Sequence, residues 1–383
     1  MARETATDRI IFAHILRGSA ALLVVLHHFT TVMWASPWAI ENVLNMPAAN
    51  FAGSLVATLQ SIDAILRPVF LDFRHWSALG VALFFLISGF VIPFAVTRTD
   101  RKSFLLGRFW RLWPVYCSGL VLVLAVLTLT SALAGRPVPF HAGMIAAHLA
   151  FAWDFFTPTS YDAVSWTLVI EVRFYILCAL LLPLLRRGDI YSLAFTGAVL
   201  MAGAALVGLW GQYLPPDHPW PGIALGRTLS IIVFMLIGIA FNFHHRGCIG
   251  TGQLVLSCLW FFILFCGAYL MGPWSRDMQD YSIVYGYALL LFALAYATRH
   301  AWRSPAWLNG LARISYPLYI VHAIVGYALI NSLVMQGATP ALAFGAALLA
   351  VFGVAWIIHR WVEMPAMDYA HRLTRRSQIP QTL

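Results

Sequence analysis

Residues 78 to 97 read ALGVALFFLISGFVIPFAVT, twenty consecutive residues without an ionisable side chain. This length matches the roughly 20 apolar residues that an α-helix needs to cross the hydrocarbon core of a bilayer. The whole chain agrees, because 61% of its 383 residues are hydrophobic and only 10% are charged, whereas about a quarter are charged in soluble domains. The apolar runs have helix length and lack the polar alternation of membrane β-strands. The sequence therefore predicts an all-α, polytopic membrane protein.

Ten apolar stretches of this kind predict a bundle of about ten transmembrane helices. The predicted spans are residues 10 to 34, 78 to 97, 113 to 134, 165 to 185, 191 to 211, 225 to 243, 252 to 272, 281 to 299, 313 to 335 and 340 to 362. The first span resembles a signal peptide, but Arg17 and two histidines in its apolar part favour a permanent helix. Residues 142 to 153 are too short to span, and they predict an interfacial or re-entrant helix.

The arginines predict the orientation of the bundle. If the N-terminus is cytoplasmic, 17 of the 24 basic residues lie on the cytoplasmic side of the bundle, and only 4 lie on the outer connections. By the positive-inside rule, both termini are then cytoplasmic. The predicted organisation is a cytoplasmic segment of residues 1 to 9, a membrane domain of residues 10 to 363 and a cytoplasmic tail of residues 364 to 383, with outer loops over residues 35 to 75 and 135 to 164.

The distribution of charge gives no indication of a nucleic-acid partner, and the cysteines give no indication of disulfides or a metal. A net charge of +9 is explained by cytoplasmic arginines that face the bilayer surface, so it does not indicate a nucleic-acid partner. The five cysteines lie in or beside apolar runs without CxxC spacing. Neither a disulfide framework nor a metal site is therefore expected.

Ionisable side chains inside the spans are the candidate functional residues, because each costs at least about 2.5 kcal/mol to insert. Arg17 and His28 are eleven residues apart in the first span. This is close to three helical turns, so they share one face about 16 Å apart along the axis. His27 points about 80° away from Arg17, which favours His28 as its partner. A second interpretation stays open, in which Arg17 only reaches the inner interface and the histidines cap a loop.

A carboxylate lies in the fourth span, within the stretch SWTLVIEVRFY of residues 165 to 175. Glu171 and His28 are both expected roughly 9 Å below the outer surface, from the helical rise. Arg173 faces the opposite side of the helix from Glu171, so Glu171 needs a partner from another helix. His28 is one candidate, and a structural ion pair with another buried arginine is the alternative.

Two arginines at the start of the third span are candidate phosphate ligands. Arg108 and Arg111 lie three residues apart, on one face near a helix N-terminus. Guanidinium groups and the positive end of a helix both favour phosphate. Basic residues at this end are also what the orientation rule requires, so the pattern alone does not separate the two explanations.

The ninth span carries a polar stripe. Ser315, Tyr319 and His322 recur at spacings of four and three residues, which places them on one helical face. Such a stripe either lines a cavity or forms hydrogen bonds with a neighbouring helix. Together with Tyr175 these residues are candidates for a substrate pocket.

Taken together, the segments resemble the acyltransferase-3 family of integral membrane O-acyltransferases over essentially the whole chain. The matching segments are residues 16 to 28, 80 to 90, 108 to 116, 165 to 175, 314 to 322 and 363 to 365. Ala82 stands where the family often has an acid, and Val172 stands where it often has a second acid after Glu171. We expect the stand-alone form, without an appended soluble hydrolase-like domain.

The resemblance implies an enzyme of the bacterial inner membrane that transfers an acyl group, most often acetyl, from cytosolic acyl-CoA. The acceptor is a hydroxyl, commonly on a sugar of a surface polysaccharide, a glycolipid precursor or a secreted metabolite. The pairs Arg17 with His28 and Arg108 with Arg111 match the family's own arginine–histidine and arginine–arginine pairs.

A mechanism follows as a hypothesis. Arg108 and Arg111 hold the phosphates of acyl-CoA, and the donor arm passes Arg17 toward His28. His28 takes the hydroxyl proton as a general base, and Glu171 fixes the imidazole tautomer. An acyl-histidine intermediate is the alternative route. The rival class is a proton-coupled transporter or flippase with a buried Arg, Glu and His relay, although no internal repeat is visible.

Overall fold

The computed structural model describes residues 10–51, 54–66, 75–211, 213–215, 219–272, 278–303 and 305–374. Within these residues all regular structure is helical, and no strand is present. Nine helical segments among them are long and apolar enough to cross a membrane. The prediction of an all-α, polytopic membrane bundle is therefore confirmed. The nine segments are Ile11–Val32, Trp76–Thr97, Arg101–Leu133, Ile190–Gly211, Trp220–His245, Thr251–Met271, Asp280–Ala297, Ala306–Met335 and Pro340–Thr374.

The α-helices are numbered in chain order. They are α1 (Ile11–His27), α2 (Met33–Ala35), α3 (Pro37–Leu44), α4 (Ser54–Leu66), α5 (Trp76–Arg98), α6 (Arg101–Leu133), α7 (Ala142–Leu149), α8 (Trp166–Leu180), α9 (Leu182–Arg187), α10 (Ile190–Gly211), α11 (Trp220–His245), α12 (Thr251–Met271), α13 (Met278–Ala297), α14 (Ala306–Met335), α15 (Pro340–Ile358) and α16 (Met364–Thr374). Two π-helical turns interrupt this series, His28–Val32 after α1 and His359–Glu363 after α15.

The span predicted over residues 165 to 185 consists of two shorter helices, α8 and α9. Helix α8 has 15 residues, which is too short to cross the bilayer by itself. Pro183 lies in the first turn of α9, and its ring nitrogen has no hydrogen to continue the backbone ladder of α8. The fourth predicted span is therefore a broken helix that begins inside the bundle.

The segment that precedes α8 is re-entrant. The indole Nε1 of Trp113 donates a hydrogen bond of 3.2 Å to the carbonyl of Leu149, at the end of α7. Trp113 lies twenty residues, about 30 Å of helical rise, from the far end of α6 at Leu133. Helix α7 and the residues after it therefore descend deep into the bundle before α8 starts.

The arginine-rich connections meet at one end of the bundle, which is called the basic end below. Arg186 donates a 2.9 Å hydrogen bond to the carbonyl of Thr99. Arg246 donates to the carbonyls of Leu185 at 2.7 Å and Arg186 at 2.8 Å. The connections between α5 and α6, α9 and α10, and α11 and α12 thus lie side by side.

Helices α5 and α11 cross in close contact at the centre of the core. A Cβ placed on Gly238 would overlap the carbonyl oxygen of Leu86 and would lie 2.8 Å from the Cα of Gly89. The amide of Asn242 donates a 2.9 Å hydrogen bond to the carbonyl of Phe90 one turn further on. The absence of a side chain at Gly238 is what allows the two backbones to approach.

We expect Gly238→Val to lower the melting temperature of the purified protein, because its side chain forces α5 and α11 apart. Overpacking of this kind costs about 1–3 kcal/mol or more. Gly353→Ala is the matched control, since nothing lies within 4 Å of a Cβ at Gly353. A melting temperature of Gly238→Val equal to that of the Gly353→Ala variant in the same detergent would contradict the close crossing.

Candidate active site

A cavity with an empty volume of about 640 Å³ lies where α1, α5, α6, α8 and α14 meet. Helix α5 contributes mainly apolar wall, whereas the other helices contribute charged and polar side chains. The lining residues are Arg17, Val81, Phe84, Phe85, Ser88, Arg111, Leu112, Thr167, Leu168, Glu171, Ser315, Tyr316 and Tyr319. Several residues singled out from the sequence thus line a single cavity.

The charged part of the cavity holds more arginine than acid. Glu171 interacts electrostatically with both Arg17 and Arg108, and Arg111 acts on the same two arginines. The part of the chain that the structure describes provides no hydrogen bond to the guanidinium groups of Arg17 and Arg111. The cavity wall therefore carries two arginines and one carboxylate, with the charge of Arg108 nearby, and the cavity is suited to an anion.

Glu171 is held on the side of the cavity that carries α5. Its carboxylate accepts a 2.5 Å hydrogen bond from the hydroxyl of Tyr175, one turn away on α8. It also accepts a 3.3 Å bond from the hydroxyl of Ser88 on α5. These two contacts fix the carboxylate next to the arginines.

Arg108 lies behind the cavity, at the wall of a second groove. Its guanidinium carbon is 5.5 Å from the ring centroid of Phe104 and 5.7 Å from that of Tyr175. The groove has an empty volume of about 750 Å³ and is otherwise apolar. Leu112 lines both this groove and the central cavity, and Phe151 of the re-entrant segment also lines the groove. The structure therefore separates Arg108 from Arg111, although both belong to one charged cluster.

His28 lies further from the basic end, beyond the cavity, at the first position of the π-helical turn. Its Nδ1 is 2.7 Å from the hydroxyl of Tyr327, and its Nε2 is 3.5 Å from the hydroxyl of Ser77. The Tyr327 ring is stacked parallel to the imidazole, with centroids 5.8 Å apart. π-Helical turns are frequent at functional sites, because the extra residue changes the direction of side chains.

A second imidazole touches the first. The rings of His28 and His322 are 4.8 Å apart, and the ring of Tyr319 in the cavity wall is 5.8 Å from that of His322. The Nδ1 of His322 lies 2.9 Å from the carbonyl of Tyr319, so this nitrogen carries the proton. Its buried Nε2 is then a free acceptor without a partner among the described residues. Tyr319, His322 and His28 form a continuous path away from the arginines.

Arg17 and His28 both face the seam between α5 and α14. Helix α5 runs antiparallel to α1, so that Arg17 shares the cavity with Ser88 and His28 contacts Ser77. The distance along the first helix from Arg17 to His28, eleven residues, therefore equals the distance along α5 from Ser88 to Ser77. Small residues such as Gly80, whose Cβ would lie 2.7 Å from the carbonyl of Ala20, keep these two helices close.

The predicted pairing of His28 with Glu171 is not formed. Glu171 lies at the level of Ser88, and Ser77, the contact of His28, is eleven residues or about 16 Å away along α5. The sequence argument placed the start of α8 at the outer surface, whereas the re-entrant segment makes α8 begin deeper. The sequence left two possible partners for Glu171, namely His28 and a buried arginine. The structure places arginines beside it.

The polar stripe of α14 both lines the cavity and forms hydrogen bonds with a neighbouring segment, the two roles that the sequence left open. Ser315 and Tyr319 line the cavity, and the hydroxyl of Ser315 donates to the carbonyl of Ala312 at 2.9 Å. The hydroxyl of Tyr319 accepts a 3.0 Å hydrogen bond from Thr167 and lies 3.3 Å from the carbonyl of Val164. The stripe thus joins α14 to the start of α8 at the cavity wall.

Arg173 lies outside the cavity, as expected for a residue on the opposite face of α8 from Glu171. Its guanidinium makes two hydrogen bonds to the carboxylate of Asp154, at 2.7 and 2.9 Å, and one of 2.6 Å to the hydroxyl of Thr228. Arg227 adds a second cation 3.8 Å from the same carboxylate. This network fixes the re-entrant segment to α11.

Sequence reasoning did not assign Ser77, Thr167, Tyr316 or Tyr327. Tyr327 had no signal from the stripe of α14, because the stripe continues at Gly326 and position 327 lies about 100° further round the helix. Ser77 had none, since its role depends on the register between α1 and α5. Among the described residues, no group of three or more His, Cys, Asp and Glu side chains is arranged to hold a metal ion.

Comparison with known proteins agrees with these features. A family model described as "Acyltransferase domain" matches residues 10–360. Nodulation protein 10 from Rhizobium leguminosarum bv. viciae is 24% identical over 287 residues, which cover 67% of this chain and 73% of that protein. No solved structure matches the chain. The family match covers most of the chain, and the protein belongs to the acyltransferase-3 family of integral membrane acyltransferases.

Proposed function

We propose that the protein transfers an acyl group, most commonly acetyl, from cytosolic acyl-CoA to a hydroxyl on the far side of the bundle. The observation that carries the proposal is the cavity in which Arg17 and Arg111 have no hydrogen-bond partner among the described residues. An arginine-rich cavity suits a donor that carries phosphates, and the histidine pair beyond it suits proton transfer. The acceptor class we favour is a sugar hydroxyl of a surface polysaccharide, glycolipid precursor or secreted metabolite.

The orientation of the proposed reaction follows from the basic end. Arginine is enriched on the cytoplasmic side of membrane proteins, so we assign the basic end to the cytosol of a bacterial inner membrane. Acyl-CoA then enters at the basic end with its phosphates near Arg108 and Arg111. Its pantetheine arm extends past Arg17 and Tyr319 toward His28.

In the proposed chemistry, the acceptor oxygen attacks the carbonyl carbon of the thioester. His28 takes the proton from the attacking hydroxyl, the carbon–sulfur bond breaks, and the proton passes to the departing thiolate of CoA. The products are an ester and free CoA. Tyr327 and Ser77 hold the imidazole of His28 in place, and Glu171 positions the arginines rather than the imidazole.

The proposed function is tested with sealed inverted membrane vesicles that contain the protein. Acetyl-CoA labelled in the acetyl group is added outside, and both the release of free CoA thiol and the label in glycans and small metabolites are measured. We expect thiol release and a labelled product only in vesicles with the protein. Movement of a labelled glycan without consumption of acetyl-CoA would instead support a transporter and contradict the proposal.

A further inference from the structure

A cleft at the basic end lies between the start of α14 and the end of the chain that the structure describes. It has an empty volume of about 750 Å³, which includes space open to solvent. Its walls combine two thioethers, one guanidinium, two imidazoles and one carboxylate. The lining residues are Arg313, His359, Met364, Met367, Asp368 and His371.

The cleft adjoins the route from the basic end to the arginine cavity. Arg313 and Tyr316 are three residues apart and share a face of α14, and Tyr316 lines the cavity. The hydroxyl of Tyr316 donates a 2.8 Å hydrogen bond to the carbonyl of Leu112, the residue after Arg111. Arg313 to His322 spans nine residues of α14, about 13.5 Å along the axis. An extended pantetheine arm, with two amide units and their flanking methylene groups, can cover this distance.

The side chains that line the cleft leave several functional groups available. Within the described ranges, Arg313, Asp368 and His371 form no hydrogen bond or ion pair. His359 uses its Nδ1 for a 2.7 Å contact with the buried carboxylate of Glu363. Glu363 is therefore the hydrogen-bonding partner of His359, and Asp368 is the remaining carboxylate at the cleft itself.

This combination of groups matches a purine nucleotide better than a simple anion. Arg313 and the imidazole of His371 are donors for a phosphate. The thioethers of Met364 and Met367 are adaptable, polarizable surfaces for an aromatic ring. Asp368 can accept a hydrogen bond from an exocyclic amine, as carboxylates do in base recognition. A site for phosphate alone would not require the carboxylate or the two methionines.

We infer that this cleft binds the 3′-phosphoadenosine end of coenzyme A, with the 3′-phosphate on Arg313 and His371 and the adenine amine on Asp368. The inference rests on the proposed function, because it assigns a second binding region to the same donor. The pyrophosphate of CoA then lies toward Arg111, and the thioester end lies in the cavity. The cleft accordingly determines which donors bind, without contact with the reacting atoms.

The test measures binding to the purified full-length protein in detergent by isothermal titration calorimetry, which requires no acceptor. The probes are CoA, 3′-dephospho-CoA and pantetheine, and the proteins are the wild type, Arg313→Ala and Arg303→Ala. We expect wild-type protein to bind CoA at least tenfold more tightly than 3′-dephospho-CoA. Arg313→Ala should weaken CoA binding by about tenfold, because it removes charge-assisted hydrogen bonds to the 3′-phosphate. The same variant should leave the affinity for 3′-dephospho-CoA nearly unchanged.

Arg303→Ala is the matched control, since it removes the same charge from an exposed position shortly before α14. It should leave all three affinities unchanged. If Arg313→Ala is poorly folded, His371→Ala provides the same comparison. Equal wild-type affinities for CoA and 3′-dephospho-CoA would overturn the nucleotide site while leaving the proposed function intact. No binding of any probe to folded protein would overturn both.

Discussion

His28→Ala is expected to reduce acyl transfer from labelled acetyl-CoA by about 10²–10⁴-fold, the contribution typical of a positioned general base. The structure gives the imidazole a defined place, between the hydroxyl of Tyr327 at 2.7 Å and the ring of His322 at 4.8 Å. Alanine removes the proton acceptor but leaves α1 and its π-helical turn free to form. The measurement is the rate of CoA release in vesicles with equal amounts of folded protein.

Tyr327→Phe is the appropriate comparison for this variant. It removes the same 2.7 Å hydrogen bond but keeps the imidazole, so it separates the loss of a contact from the loss of a base. We expect Tyr327→Phe to reduce the rate much less than His28→Ala. Full activity of well-folded His28→Ala would transfer the role of base to His27 or to His322, whose Nε2 is buried without a partner among the described residues.

Arg111→Ala is expected to raise the KM for acetyl-CoA by about tenfold to a hundredfold, while kcat changes less. A hydrogen bond to a charged group contributes about 1.5–3 kcal/mol, and each 1.4 kcal/mol is tenfold in affinity. The effect is expected on binding because Arg111 lines the cavity, at a distance from the two histidines. Initial rates over a range of acetyl-CoA concentrations provide the measurement.

The control for Arg111→Ala is Arg101→Ala. Arg101 lies at the start of the same helix and is exposed, so its removal changes the net charge equally without altering the cavity. Its KM should equal that of the wild type. A similar rise in KM for both variants would mean that Arg111 acts only through the general charge of the basic end, and an unchanged KM in Arg111→Ala would remove the phosphate assignment.

The fold class could be predicted from the sequence because the bilayer imposes a strong and local requirement. A run such as residues 78 to 97 has few alternatives to a membrane helix, and it is the helix Trp76–Arg98 in the structure. The depth at which the span over residues 165 to 185 starts could not be predicted, because it depends on how far the preceding segment enters the bundle. That depth is determined by contacts such as the one from Trp113 to Leu149, which no local pattern reveals.

The features of the candidate site also differ in whether the sequence could predict them. The shared face of Arg17 and His28 depends on helical periodicity within one element and could be derived by counting. The partners of Glu171 depend on the register between α5 and α8, and Ser88 and Tyr175 occupy the place where His28 was expected. Properties of a single helix were therefore accessible from the sequence, and relations between helices were not.

The π-helical turn at His28–Val32 has a consequence for comparing related sequences. Such a turn contains one residue more than an α-helical turn, so a helical wheel drawn through the whole first helix misplaces later positions by about 100°. The interval from Arg17 to His28 ends at the first residue of the turn, so it is unaffected. A relative with an uninterrupted first helix would align with this chain only through a single-residue gap after His28. Without that gap, side chains on the outer part of this helix would be assigned to the wrong face.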